Sequence, residues 1–124
     1  MVTCGCDGKK VLLYACSGGA NVGEMADRAA RQLMAEGKGG MFCLAGLGAE
    51  IPGMIETAKA ADVNLVIDGC AVDCAKKVFD KVGLKNYTQI RVTDLGIEKA
   101  KGVPVKPEQV DKVVAKAREL LANA

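Results

Sequence analysis

Short continuous apolar runs alternating with stretches of helical period constrain this chain more than any other feature. Val11 to Cys16 (VLLYAC) is continuous and apolar, which suits a strand buried on both faces. Ser17-Gly18-Gly19-Ala20 reads as a turn, and Asn21 as a helix N-cap with Glu24 as its capping-box partner. Val22, Met25, Ala26, Ala29, Ala30, Leu33 and Met34 then recur at helical spacing up to a stop at Gly37. The unit repeats. Met41 to Ala45 (MFCLA) reads as a second buried strand, and a loop from Gly46 to Ile51 leads to a short helix from Pro52 to Ala61. Leu65-Val66-Ile67 is a third strand ending in Asp68-Gly69-Cys70. The spacing predicts a helix from Ala71 to Val82, with Gly83 as its stop. Thr88 to Thr93 alternates polar and apolar, as an edge strand does. A polar connector from Asp94 to Val105 precedes a last helix, opened by Pro107 and apolar along Val110, Val113, Val114, Ala117, Leu120 and Leu121.

Strands alternating with helices predict an α/β fold: a single three-layer α/β/α domain around a four-stranded, mostly parallel sheet. The expected strand order is 2-1-3-4. Residues 9–124 form that domain, and residues 1–8 form an arm carrying Cys4 and Cys6. A chain of 124 residues can bury a core without disulfide staples.

The absence of histidine removes Ser-His-Asp and Cys-His catalysis and every histidine-bearing zinc motif. A metal site must therefore use thiolates, carboxylates or backbone oxygens. The 17 basic and 15 acidic side chains are interspersed, so no basic stripe points to nucleic acid, and aromatics are too few for base stacking. The segment from Met1 to Lys10 is polar, and no apolar run approaches the roughly 18 residues of a membrane span. A cytoplasmic protein is expected, in which six cysteines are thiols, metal ligands or redox pairs rather than a disulfide framework.

Four of the six fall together on this scheme. Cys16 ends the first strand, Cys43 lies in or near the end of the second, Cys70 follows the third, and Cys74 stands one helical turn later. All four lie toward the carboxyl edge of the sheet, where open α/β folds place their sites. Helix N-termini after Cys16 and around Cys70 and Cys74, with Lys76 and Lys77, favour thiolates. A four-cysteine site for a thiophilic ion is the leading expectation. It requires the loops after Cys16 and Cys70 to bend together and Cys43 to reach inward, because zinc–sulfur bonds are about 2.3 Å. Two alternatives stand beside it: a thiol redox protein or thiol enzyme with Cys70 and Cys74 as attacking and resolving thiols, and an interaction module whose cysteines are core. Cys4 and Cys6 read as a separate metal-capturing or redox arm, with a frayed terminus as the alternative.

Other motifs are mostly negative. Gly18 and Gly23 have Walker A spacing, but Glu24 and Met25 replace the Lys and Ser/Thr, which leaves at most a weaker anion site at the helix start. Gly46-Leu47-Gly48 lacks the third glycine of a dinucleotide fingerprint. Asp68 and Asp94 end strands at the site edge, as caps or as ligand-orienting groups.

Several segments carry a resemblance. Cys16-Ser17-Gly18, Asn21-Val22-Gly23, Asp27-Arg28-Ala29-Ala30-Arg31, Phe42-Cys43-Leu44-Ala45-Gly46, Ile67-Asp68-Gly69-Cys70 and Arg91-Val92-Thr93-Asp94-Leu95-Gly96 are similar to the DGC-domain family, roughly over residues 9–119. The resemblance implies zinc held by Cys16, Cys43, Cys70 and Cys74. It assigns no reaction, and iron–sulfur or copper(I) binding stays compatible with the same thiolates.

Overall fold

The structure, a computed structural model, describes residues 8–124. The N-terminal arm with Cys4 and Cys6 lies outside the described residues, apart from Gly8.

Four parallel strands form one sheet: β1 (Val11–Ala15), β2 (Gly40–Met41), β3 (Val63–Asp68) and β4 (Thr88–Arg91), in the expected order β2-β1-β3-β4. The continuous apolar runs are the central strands β1 and β3, buried on both faces. Side chains alternate across β1, so Val11, Leu13 and Ala15 face one layer while Leu12 and Tyr14 face the other. The first layer holds α1 (Asn21–Ala35) and α5 (Pro107–Ala122), packed through Met25, Ala29, Leu33, Val113 and Ala117. The second holds α2 (Leu44–Gly48), α3 (Pro52–Ala60) and α4 (Cys74–Lys81) around Leu47, Ala58, Ala75 and Phe79. Tyr14 meets Phe79 edge-on there, with ring centroids 4.8 Å apart. Among the described residues no helix is long and apolar enough to cross a membrane.

Several boundaries differ from the sequence expectation. The expected strand over Met41–Ala45 is only two residues long, because Leu44–Gly48 coils into α2 and buries Leu47. The expected N-cap Asn21 is instead the first helical residue; Ala20 holds the cap position with no side-chain bond, and Glu24 pairs with Arg28. The strand expected to run to Thr93 ends at Arg91 and tightens into a 3₁₀ turn over Val92–Leu95. The expected helix from Ala71 begins only at Cys74.

A candidate metal centre at the carboxyl edge

Cys16 extends the β1–β3 pairing by one bond, its amide N–H donating to the Ile67 carbonyl at 3.1 Å. The chain then turns sharply through Ser17, which takes a left-handed conformation (φ 47°). Two glycines let the strand-end loops close on each other. A Cβ on Gly23 would stand 2.5 Å from the Gly18 nitrogen, and a Cβ on Gly69 would stand 2.9 Å from the Val22 carbonyl carbon. The loops after β1 and β3 therefore meet across the start of α1, as a shared site requires. Their contact is also polar: the Gly69 N–H donates to the Cys16 sulfur at 3.2 Å.

The segment from Cys70 to Asp73 is a turn, closed by the Asp73 N–H donating to the Cys70 carbonyl. Asp68 explains why the helix starts late. Its buried carboxylate accepts the Ala75 N–H at 2.8 Å, the Lys76 N–H at 3.1 Å and the Gln89 amide at 2.9 Å, so it caps α4 from the end of β3. Asp73 is itself left-handed (φ 56°) and receives two hydrogen bonds from the Arg91 guanidinium, at 2.7 and 2.9 Å, and one from Gln89. The Arg91 contact holds the Asp73 carboxyl below the usual carboxylate range, with the Gln89 bond adding to it. Of the pair Cys70/Cys74, only Cys74 thus stands at a helix start; Cys70 precedes it on an anchored turn.

Cys16, Cys70 and Cys74 line one cavity of about 260 Å³. Cys43, the N-cap residue of α2, opens instead into an adjoining cavity of about 440 Å³ with Cys16, Phe42, Leu44 and Val78. Cys16 stands between the two. Cys43 and Cys74 are exposed, whereas Cys16 and Cys70 are partly buried. Among the described residues no three Cys, Asp or Glu side chains stand close enough together to hold a metal ion as they are. The field at Cys16 also runs against the expected one. Burial pushes its thiol up, the Gly69 N–H opposes this, and Asp68, Cys74 and Cys70 add to the rise. Lys76 does not serve the thiols either; its ammonium pairs with Asp80 at 2.8 Å.

The sequence offered no sign of the strap formed by residues 98–101. Asn21, buried at the start of α1, donates through Nδ2 to the Glu98 carbonyl and accepts the Ala100 N–H on Oδ1 at 2.7 Å. Its own N–H donates to the Ala100 carbonyl, and Ala20 forms a bridge with Lys101. Lys99 and Lys101 consequently line the thiol cavity, with the Lys99 ammonium 3.4 Å from the Cys70 sulfur. The first amides of α1 are used within the chain: Val22 donates to Asn21 Oδ1, and Gly23 and Glu24 donate to the Ala20 carbonyl. The anion site expected at that helix end is therefore not formed by those amides.

A model of the DGC domain matches residues 12–117. Among curated proteins, the chain is 26% identical over 110 residues to the anaerobic and virulence modulator AnvM of Pseudomonas aeruginosa, covering 89% of this chain and 84% of that protein. No solved structure matches the chain. The family match covers the whole sheet except Val11 and both loops that meet at Gly23 and Gly69, and on that ground the chain belongs to the DGC-domain family.

Proposed function

We propose that the chain binds a thiophilic metal ion, zinc before iron–sulfur or copper(I), through Cys16, Cys43, Cys70 and Cys74, in a structural, sensing or metal-transfer role. One observation carries this reading: three of the four thiols line a single cavity, and the fourth shares the next cavity with Cys16. The donor set suits such an ion, because the site has soft sulfurs, no histidine, and an N–H already directed at the Cys16 sulfur. When bound, the ion would supply a cross-link between three strand-end loops. Four thiolates leave no open position for a reacting water, so hydrolysis is not part of the proposal. The Pseudomonas relative is named an anaerobic and virulence modulator, a regulatory name compatible with a sensing role.

Metal analysis of protein purified without added zinc tests this. About one equivalent is expected, falling sharply in Cys70→Ser; less than about a tenth of an equivalent, unchanged by that substitution, overturns it. A second reading, a thiol redox role for Cys70 and Cys74, is favoured by the ammonium of Lys99 beside Cys70. Metal-free protein with a reversible Cys70–Cys74 disulfide would establish it instead.

A further inference from the structure

We propose that the cavity between the Gly18–Gly23 turn and the 98–101 strap binds a small carboxylate-bearing molecule, held by Lys99 and Lys101 with its other end against Cys70. This goes beyond metal binding and does not need a bound ion.

The strap is the first support. Asn21 fixes Glu98 and Ala100 through their backbone groups, and the lysines that alternate with them, Lys99 and Lys101, both line the cavity. A buried asparagine thus holds the backbone that carries both lysines, and the Lys99 ammonium is placed further by the Cys70 sulfur.

Charge is the second support. Neither Asp nor Glu lines this cavity, so both lysines face it without a carboxylate across from them. Acidic side chains lie on the far side of the Gly18–Ala20 turn, where Glu24 pairs with Arg28 and Asp27 with Arg31 and Ser17. The turn thus divides a basic face from an acidic one whose charges are already matched.

Shape is the third. Ala20, Val22 and Val72 give the cavity apolar walls, and the positions where Gly18 and Gly19 would carry a Cβ are open space. Its volume of about 260 Å³ lies just under the range typical of ligand pockets, so it fits a compact molecule with one anionic end and a short apolar body.

Charge-paired alkylation tests the proposal. Iodoacetate and iodoacetamide are nearly the same size and differ by one negative charge. In each, the Cys70 thiolate displaces iodide, forming a C–S bond as the C–I bond breaks. The ratio of the two rates at one thiol cancels the fraction of thiolate present. Reduced, chelator-treated chain is alkylated, and each cysteine is followed by peptide mass spectrometry, with exposed Cys43 as the internal reference. The iodoacetate-to-iodoacetamide ratio should be about three- to tenfold higher at Cys70 than at Cys43. The iodoacetate rate at Cys70 should also saturate with concentration. In Lys99→Gln/Lys101→Gln the preference should disappear, and in Lys99→Arg/Lys101→Arg it should return. Equal ratios at Cys70 and Cys43, a preference surviving the Gln pair, or a rate linear in iodoacetate would each overturn the pocket. Any ion on Cys70 is removed before alkylation, so failure of the pocket is read on metal-free chain while failure of the metal proposal is read from the metal content of the untreated protein.

Discussion

Gly69 lies against Val22 and Gly23 with no room for a side chain, since a Cβ there would come within 3.0 Å of the Gly23 nitrogen. This contact brings the loop after β3 to the loop after β1 and aligns the Gly69 N–H with the Cys16 sulfur. Gly69→Ala is therefore expected to push the loops apart, because the obstructing atoms are largely backbone. Overpacking of this kind costs about 1–3 kcal/mol. Urea unfolding should show that loss, and metal bound per chain should fall with it. Wild-type stability in the variant would mean that the two loops are not held by close approach.

Asn21→Ala removes both side-chain bonds that hold the backbone of the 98–101 strap, leaving the Lys99 contact with Cys70. It leaves the Ala100 N–H and Glu98 carbonyl without their side-chain partner and the Val22 N–H without its acceptor. The expected cost is about 1–3 kcal/mol, the range for buried polar groups left unsatisfied. Hydrogen exchange should locate the effect: the Ala100 amide should exchange faster while amides of the central strands β1 and β3 keep their order. Uniform acceleration across the chain would instead make Asn21 a general core residue.

The strand order was legible because β1 is an uninterrupted apolar run and β3 holds Leu65-Val66-Ile67, as strands buried on both faces do. The second run misled over its length. Five apolar residues suit a buried strand or a buried helical turn equally, and periodicity alone does not separate them. Here Leu44–Gly48 became a helix whose Gly46 lies directly against Met54. Placing the cysteines at the carboxyl edge needed only the strand ends. Their division between two cavities did not follow from strand ends, because it depends on the turn at Ser17 and the late start of α4 set by Asp68. The strap was invisible for a simpler reason: Asn21 and Ala100 are far apart in sequence, and an asparagine before a helix first suggests a cap.

Tyr14 and Asn64 provide a test deep in the sheet. The Tyr14 hydroxyl donates to Asn64 Oδ1 at 2.8 Å, with both residues fully buried, and Asn64 Nδ2 donates to the carbonyls of Ala58 and Asn86. Burial pushes the Tyr14 phenol above its ordinary pKa, so it remains a donor at any physiological pH. Tyr14→Phe keeps the edge-on packing with Phe79 but strands the Asn64 oxygen. A loss of about 1–3 kcal/mol is expected, with little change in the far-ultraviolet circular dichroism. A neutral substitution would show that Asn64 finds another donor.

The ion pair of Arg118 with Glu36 ties α5 to the residue that ends α1, and it sets a pH dependence of known sign. The Arg118 guanidinium donates through Nε to Glu36 Oε1 at 3.1 Å, and Gln32 donates to the other carboxylate oxygen at 3.2 Å. The Arg118 hydrogen bond is the main cause holding the Glu36 carboxyl below its ordinary value. A depressed carboxyl pKa stabilises the folded state above the unfolded value, about 4.3 for Glu, and the contribution is lost as pH falls through the lower folded value. Arg118→Gln should therefore lower the thermal midpoint at pH 7. The gap between wild type and variant should narrow as pH falls below the unfolded value toward the lower folded one. Because both side chains are partly exposed, added salt should shrink the pH 7 gap as well. A gap of equal size across that fall in pH would assign the contact to packing of the arginine stem against α1 instead of to its charge.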